Sequence, residues 1–160
     1  MKKLLHVSFL AMLFLSGCAV KKTITTSEAY AITIKNKQIA LSDTGFINKG
    51  ENYANVQIFS AGNVLFNLEI IGNYVCLDGR CLDKLAFNQQ FFQEEHYADL
   101  MYDILLWHPL YDGKNLRRTP QGFEQDLEFS NSHLIYTIKG QTLSFRDTKN
   151  GILIRLKPLP

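Results

Sequence analysis

The sequence predicts a mainly β, α+β protein: a curved antiparallel sheet, or incomplete β-barrel, with one central helical insertion. Three observations lead there. Alternating apolar runs separated by tight-turn dipeptides occupy both flanks of the chain. Between them, Tyr97, Leu100, Met101, Ile104, Leu105 and His108 recur at three- and four-residue steps, the stripe of an amphipathic helix. Eleven phenylalanines, seven tyrosines and one tryptophan supply bulk for an interior. A sheet with one apolar face and too few helices to cover it must curl on itself or line a cavity.

Taken in order, Ile32, Ile34, Ile39 and Leu41 alternate in part around Lys35-Asn36-Lys37-Gln38 and predict one or two strands between Ala29 and Leu41. Val56 and Ile58 share a face, as do Val64, Phe66, Leu68 and Ile70 in the next run. A three-residue loop, Ser60-Ala61-Gly62, pairs Ile58 with Val64 and Val56 with Phe66, because a two-residue loop slips apolar against polar positions. Gly72-Asn73 then turns the chain so that Ile70 faces Val75, and Asp78-Gly79 sets Val75 opposite Leu82. One parity carries the apolar residues through these runs and puts the cysteines on the other face.

The helical stripe follows, ended by Pro109, with Phe87, Phe91 and Phe92 adding a shorter helical turn before it. Residues 110 to 132 are rich in Gly, Pro, Asn and Asp and predict a long loop with one irregular strand near Phe123 to Phe129. Finally, Gly140-Gln141 closes a hairpin that pairs Ile138 with Leu143 and Tyr136 with Phe145. A turn at Lys149-Asn150-Gly151 leads to Ile152, Ile154 and Leu156 on one face.

The first eighteen residues carry different information. Lys2 and Lys3 precede an apolar run, Leu4 to Leu15, interrupted by His6 and Ser8, and Leu15-Ser16-Gly17-Cys18 follows. This order resembles a bacterial lipoprotein signal with its lipobox, in which cleavage precedes a cysteine that carries diacylglycerol. The resemblance implies a signal peptide over residues 1–17, a lipidated tether over 18–28 and a single β-rich domain over 29–160. Cleavage removes 17 of 160 residues and takes Lys2 and Lys3 with it. The basic count then falls from 17 to 15 and equals the 15 acidic residues. A neutral domain without a basic cluster beyond Arg117-Arg118 argues against nucleic acid as a partner. No second apolar run reaches the ~20 residues needed to cross a bilayer. By the sorting rule of Gram-negative lipoproteins, Ala19 after Cys18 implies the outer membrane, with the domain in the periplasm.

With Cys18 taken by lipid, Cys76 and Cys81 remain. If Asp78-Gly79 is the loop, Leu77 faces Arg80 and the two cysteines lie opposite each other, about 4.5–5.5 Å apart at Cα, within disulfide reach. A structural disulfide is the reading, with two free thiols as the alternative. The spacing lacks the CxxC of a redox motif, and the four histidines are too scattered for a zinc site.

Lipobox, strand meander, central helix and second meander together resemble the LolA/LolB superfamily. The segment Tyr97-Ala98-Asp99-Leu100 through Leu105-Leu106-Trp107-His108-Pro109-Leu110 is similar to the helix and Trp-Pro ending of an uncharacterised lipoprotein family within it. That resemblance implies an incomplete barrel closed by helices over an apolar cavity that receives acyl chains of lipids or lipoproteins. The candidate lining is Phe66, Leu68, Ile70, Leu100, Met101, Ile104, Trp107, Tyr136, Ile138, Leu143, Phe145 and Ile154. The competing reading is a structural or interaction lipoprotein of the cell envelope with a filled core and no ligand. No enzyme, metal or cofactor is expected. His96, His108 and His133 stand in no HExxH, GxSxG or phosphate-loop context, and Asp99 with Asp103 reads as a solvated helix face.

Overall fold

A computed structural model describes residues 24–160. The expected signal peptide, Cys18 and the tether up to residue 23 lie outside the described residues. Among these residues, eleven antiparallel strands form one open sheet. They are β1 (Ile24–Lys35), β2 (Ala40–Gly50), β3 (Tyr53–Ser60), β4 (Asn63–Ile71), β5 (Tyr74–Leu77), β6 (Arg80–Asp83), β7 (Arg117–Thr119), β8 (Gly122–Glu128), β9 (His133–Lys139), β10 (Thr142–Asp147) and β11 (Ile152–Pro158). Two helices, α1 (Lys84–Phe92) and α2 (Leu100–Leu106), separate the two groups of strands.

The spatial order is β6-β5-β4-β3-β2-β1-β11-β10-β9-β8-β7. Each meander folds by successive hairpins, and β11 closes against β1 with Ile34 opposite Ile154. The helices carry the chain from one edge of the sheet, β6, to the other, β7. Six strand spacings separate β5 from β10, about 29 Å if the sheet were flat. Helix α1 nevertheless packs on β5 and also places Phe92 against Phe145 of β10. Nine helical residues span only about 13 Å. The sheet therefore curls around its apolar face.

Local chemistry explains most registers. Cys76 lies opposite Cys81 and Leu77 opposite Arg80, with Asp78 and Gly79 at φ 48° and 84° as a two-residue turn of this kind requires. The two cysteines form a disulfide. Ile70 faces Val75, Ile138 faces Leu143 and Tyr136 faces Phe145. Along β11, Ile152, Ile154 and Leu156 are all buried.

Other expectations need correction. The β3–β4 loop is Ala61-Gly62, not three residues, with Ser60 opposite Asn63. A bulge between Ile58 and Phe59 restores the parity a two-residue loop would have lost, so Ile58 meets Phe66 and Val56 meets Leu68. Val64 is pushed off the apolar face and is exposed, as is Leu65. Strand β1 starts at Ile24, so residues 24–28, expected in the tether, pair with β2 instead. The segment after residue 110 contains a hairpin, β7–β8, where one irregular strand was expected.

The helical region also differs. Phe87, Phe91 and Phe92 belong to the longer of the two helices, capped where Asp83 Oδ1 accepts the Ala86 N–H at 2.9 Å. Helix α2 is shorter than its stripe. Tyr97 precedes it, and Trp107 adopts a left-handed conformation one residue beyond its end. The Trp107 and His108 N–H groups bond back to Ile104 and Asp103 carbonyls, so the helix is closed before Pro109 is reached.

Candidate functional site

The twelve candidate lining residues are brought together, but as a packed core. Phe66, Leu68, Ile70, Leu100, Met101, Ile104, Tyr136, Ile138, Leu143, Phe145 and Ile154 are buried in one cluster, and Trp107 packs against it half-buried. Phe92 fills the middle, edge-on to Phe145 at 5.6 Å, and Phe145 in turn leans on Tyr136 at 6.5 Å. The side chains expected to line a cavity are thus buried against one another and against Phe92. The physical reason is α1, whose aromatic face supplies the volume that the strands leave over.

Several surface hollows are present, one bordered by Trp107 and one by Ile138, and the one with the largest apolar wall lies to one side, beside α1. It measures about 510 Å³ and opens between the β1–β2 turn, the β5–β6 hairpin and α1. Each wall has a clear origin. Asn36 Oδ1 accepts the N–H groups of Gln38 and Ile39 at 2.8 Å, forming the turn, while its Nδ2 donates to the Phe91 carbonyl at 3.2 Å. That buried asparagine ties the turn to the end of α1. The opposite wall is held by the disulfide and by Asp78, which donates its N–H to Asn67 O at 2.8 Å and accepts the Asn67 N–H at 3.0 Å. Ile39, Val75, Leu77, Leu82, Phe87 and Phe91 give the apolar surface, and Gln38, Asp78, Arg80 and Gln90 the polar one. None of the twelve expected residues lines it. Phe87 and Phe91, at i and i+4 behind the capping Asp83, carried the sequence signal for this wall. Gln38 and Arg80 carried none, because only the curl of the sheet brings them together.

A polar seam runs along the other side of the helices. His96, 4% exposed, shares a 2.7 Å hydrogen bond between Nδ1 and the Tyr111 hydroxyl, and its Nε2 has no partner among the described residues. Burial lowers the His96 pKa, an effect that the carboxylates of Asp147 and Glu94 partly oppose. Burial also pushes the Tyr111 hydroxyl up to about 12, with Glu94 adding to the shift. Burial and then Asp103 raise Tyr97, whose hydroxyl donates to Asp103 at 2.8 Å. The Asp99–Asp103 pair is divided between different tasks. Asp99 meets Lys84 at 2.5 Å and joins the starts of the two helices, whereas Asp103 holds Tyr97 and, at 3.1 Å, His108. His133 lies elsewhere, 2.9 Å from Asp126. His96 and His108 thus tie the segments around the helices together, and His133 ties β9 to β8. Among the described residues, no group of three or more His, Cys, Asp or Glu stands close enough to hold a metal, and no helix is long and apolar enough to cross a membrane.

Comparison with known protein families finds none that matches this chain, and comparison with curated proteins finds no match either.

Proposed function

We propose that this chain is a lipoprotein anchored at Cys18 in the outer membrane, with a LolA/LolB-like body in the periplasm that handles acyl chains without catalysis. The apolar concavity beside α1 carries this reading. Its ~510 Å³ lies within the ~300–1,000 Å³ range of small-molecule sites, and its wall combines two phenylalanines with four aliphatic side chains. The open eleven-stranded sheet with helices on its apolar face supports the superfamily resemblance. Six residue steps from Cys18 to Ile24 extend at most about 20 Å, so β1 starts close to the anchored cysteine. An acyl chain entering the concavity gains roughly 0.8 kcal/mol per buried methylene and leaves for the bilayer by the same route.

The burial of the expected lining residues in one cluster favours a second reading, an envelope interaction lipoprotein without ligand. One experiment separates them: mass spectrometry of lipids that co-purify with the soluble domain lacking Cys18, followed by addition of a labelled acyl lipopeptide. Bound acyl species are expected, and their loss on Leu82→Glu, an exposed position on the wall, places them in the concavity beside α1. Neither co-purifying lipid nor uptake of the lipopeptide would leave the interaction reading standing.

A further inference from the structure

We infer that the concavity selects acyl amphiphiles with an anionic head, a carboxylate or a phosphate, through Arg80. This rests on the acyl-handling reading and names the ligand class within it. Arg80 and Asp78 are the charged residues on the wall. Asp78 has a structural task that explains its presence. It adopts the left-handed turn position, φ 48°, that aspartate and asparagine tolerate, and it closes the β4–β5 ladder through both of its bonds to Asn67.

Arg80 has no such task. It is exposed, it lies opposite the aliphatic Leu77, and among the described residues it has no hydrogen-bond or ion-pair partner. A guanidinium at the rim of an apolar hollow offers a planar fork of donors that matches a carboxylate or phosphate, while its stem lies along apolar surface. Gln38 and Gln90 add neutral amides at the same opening. Head at the rim and chain on Leu82, Phe87 and Phe91 is the orientation that satisfies both surfaces. A lipoprotein's diacylglyceryl group brings no charge for Arg80, so the site favours free anionic amphiphiles over it.

The test uses the full lipidated protein in phosphatidylcholine nanodiscs and photo-crosslinking probes of equal chain length. One is a fatty acid, one a lysophosphatidic acid and one the matching long-chain alcohol, each with a diazirine near the chain end. Both acids are expected to label peptides containing Leu82, Phe87 or Phe91 about tenfold more than the alcohol. Arg80→Gln, an exposed substitution, should remove that advantage and leave alcohol labelling unchanged. Equal labelling by acids and alcohol, or an advantage that survives Arg80→Gln, overturns the head-group inference while acyl handling stands. Millimolar inorganic phosphate should at most bring acid labelling down to the level of the alcohol, because it competes for Arg80 and not for the apolar wall; acid labelling pushed below that level overturns the two-surface site. No labelling of these peptides by any probe overturns both readings together.

Discussion

Phe92 and Phe145 meet edge to face with ring centroids 5.6 Å apart and planes inclined at 74°. Both are fully buried, one at the end of α1 and the other on β10, in the opposite half of the sheet. This contact ties the two halves of the curled sheet together through α1. Phe92→Ala should therefore cost about 4 kcal/mol, the usual range for a buried phenylalanine that leaves a cavity. Urea denaturation of the variant measures it. A loss below about 1 kcal/mol would show that the centre is loosely packed or already hollow.

The disulfide should matter less. Cys76 and Cys81 close a small loop whose ends already lie opposite each other in a hairpin. The chain-entropy estimate for so short a loop is about 2 kcal/mol, at the low end for disulfides. Reduction by dithiothreitol should lower the unfolding free energy extrapolated from urea titration by that amount and leave the far-ultraviolet circular dichroism unchanged. Loss of the sheet signal on reduction would mean that the β5–β6 wall depends on the bridge far more than its register suggests.

His96 gives the fold a dependence on pH. Its folded pKa lies below the ordinary value near 6.5 because burial disfavours the charged ring. Between those two values the unfolded chain binds the proton and the folded chain does not, so stability falls as pH drops. The contribution is complete above about pH 6.5, declines below it by up to about 1.4 kcal/mol per unit, and levels off beneath the folded pKa. Thermal midpoints at pH 7.5, 6.5 and 5.5 should show this slope. His96→Gln, which keeps a polar partner for Tyr111, should flatten it. An unchanged slope in the variant would assign the effect to other groups.

How much of this was legible follows from how local each signal was. The Asp78-Gly79 and Gly140-Gln141 turns carry their geometry in two residues, and the registers that depend on them, Cys76 with Cys81 and Tyr136 with Phe145, follow from sequence. Between β3 and β4 the face was legible but the pairing was not, since a bulge compensates the shorter loop without a mark in the residues flanking it. Helix α1 was legible only as a turn, because three phenylalanines in six residues indicate burial without revealing what covers them. The concavity was illegible for a different reason. Gln38, Arg80 and Phe91 are distant in sequence, and only the curl of eleven strands sets them around one space. The same holds for the packing of the twelve expected lining residues against Phe92, which brings α1 onto strands from both halves of the sheet.

Gly45 tests that curl at the level of the backbone. It lies buried in β2 opposite Ile58, and its φ is outside the left-handed region, so a positive φ is not why a glycine stands there. Space is the reason. A Cβ at this position would lie 2.1 Å from the Gln57 carbonyl oxygen and 2.9 Å from Ile32 Cδ1. The side chain of Ile32 can rotate, but the carbonyl belongs to β3, so β2 and β3 must separate to admit even a methyl group. Gly45→Ala should cost about 3 kcal/mol, the upper range for overpacking. Gly62→Ala provides the contrast. Its φ is +82°, but nothing lies within 4 Å of the added carbon, so it should lose only the roughly 1 kcal/mol of a left-handed alanine. Urea midpoints of the two variants read the difference directly. Equal losses would show that β2 and β3 give way easily, and that their close approach does not hold the curvature on which both the packed centre and the concavity depend.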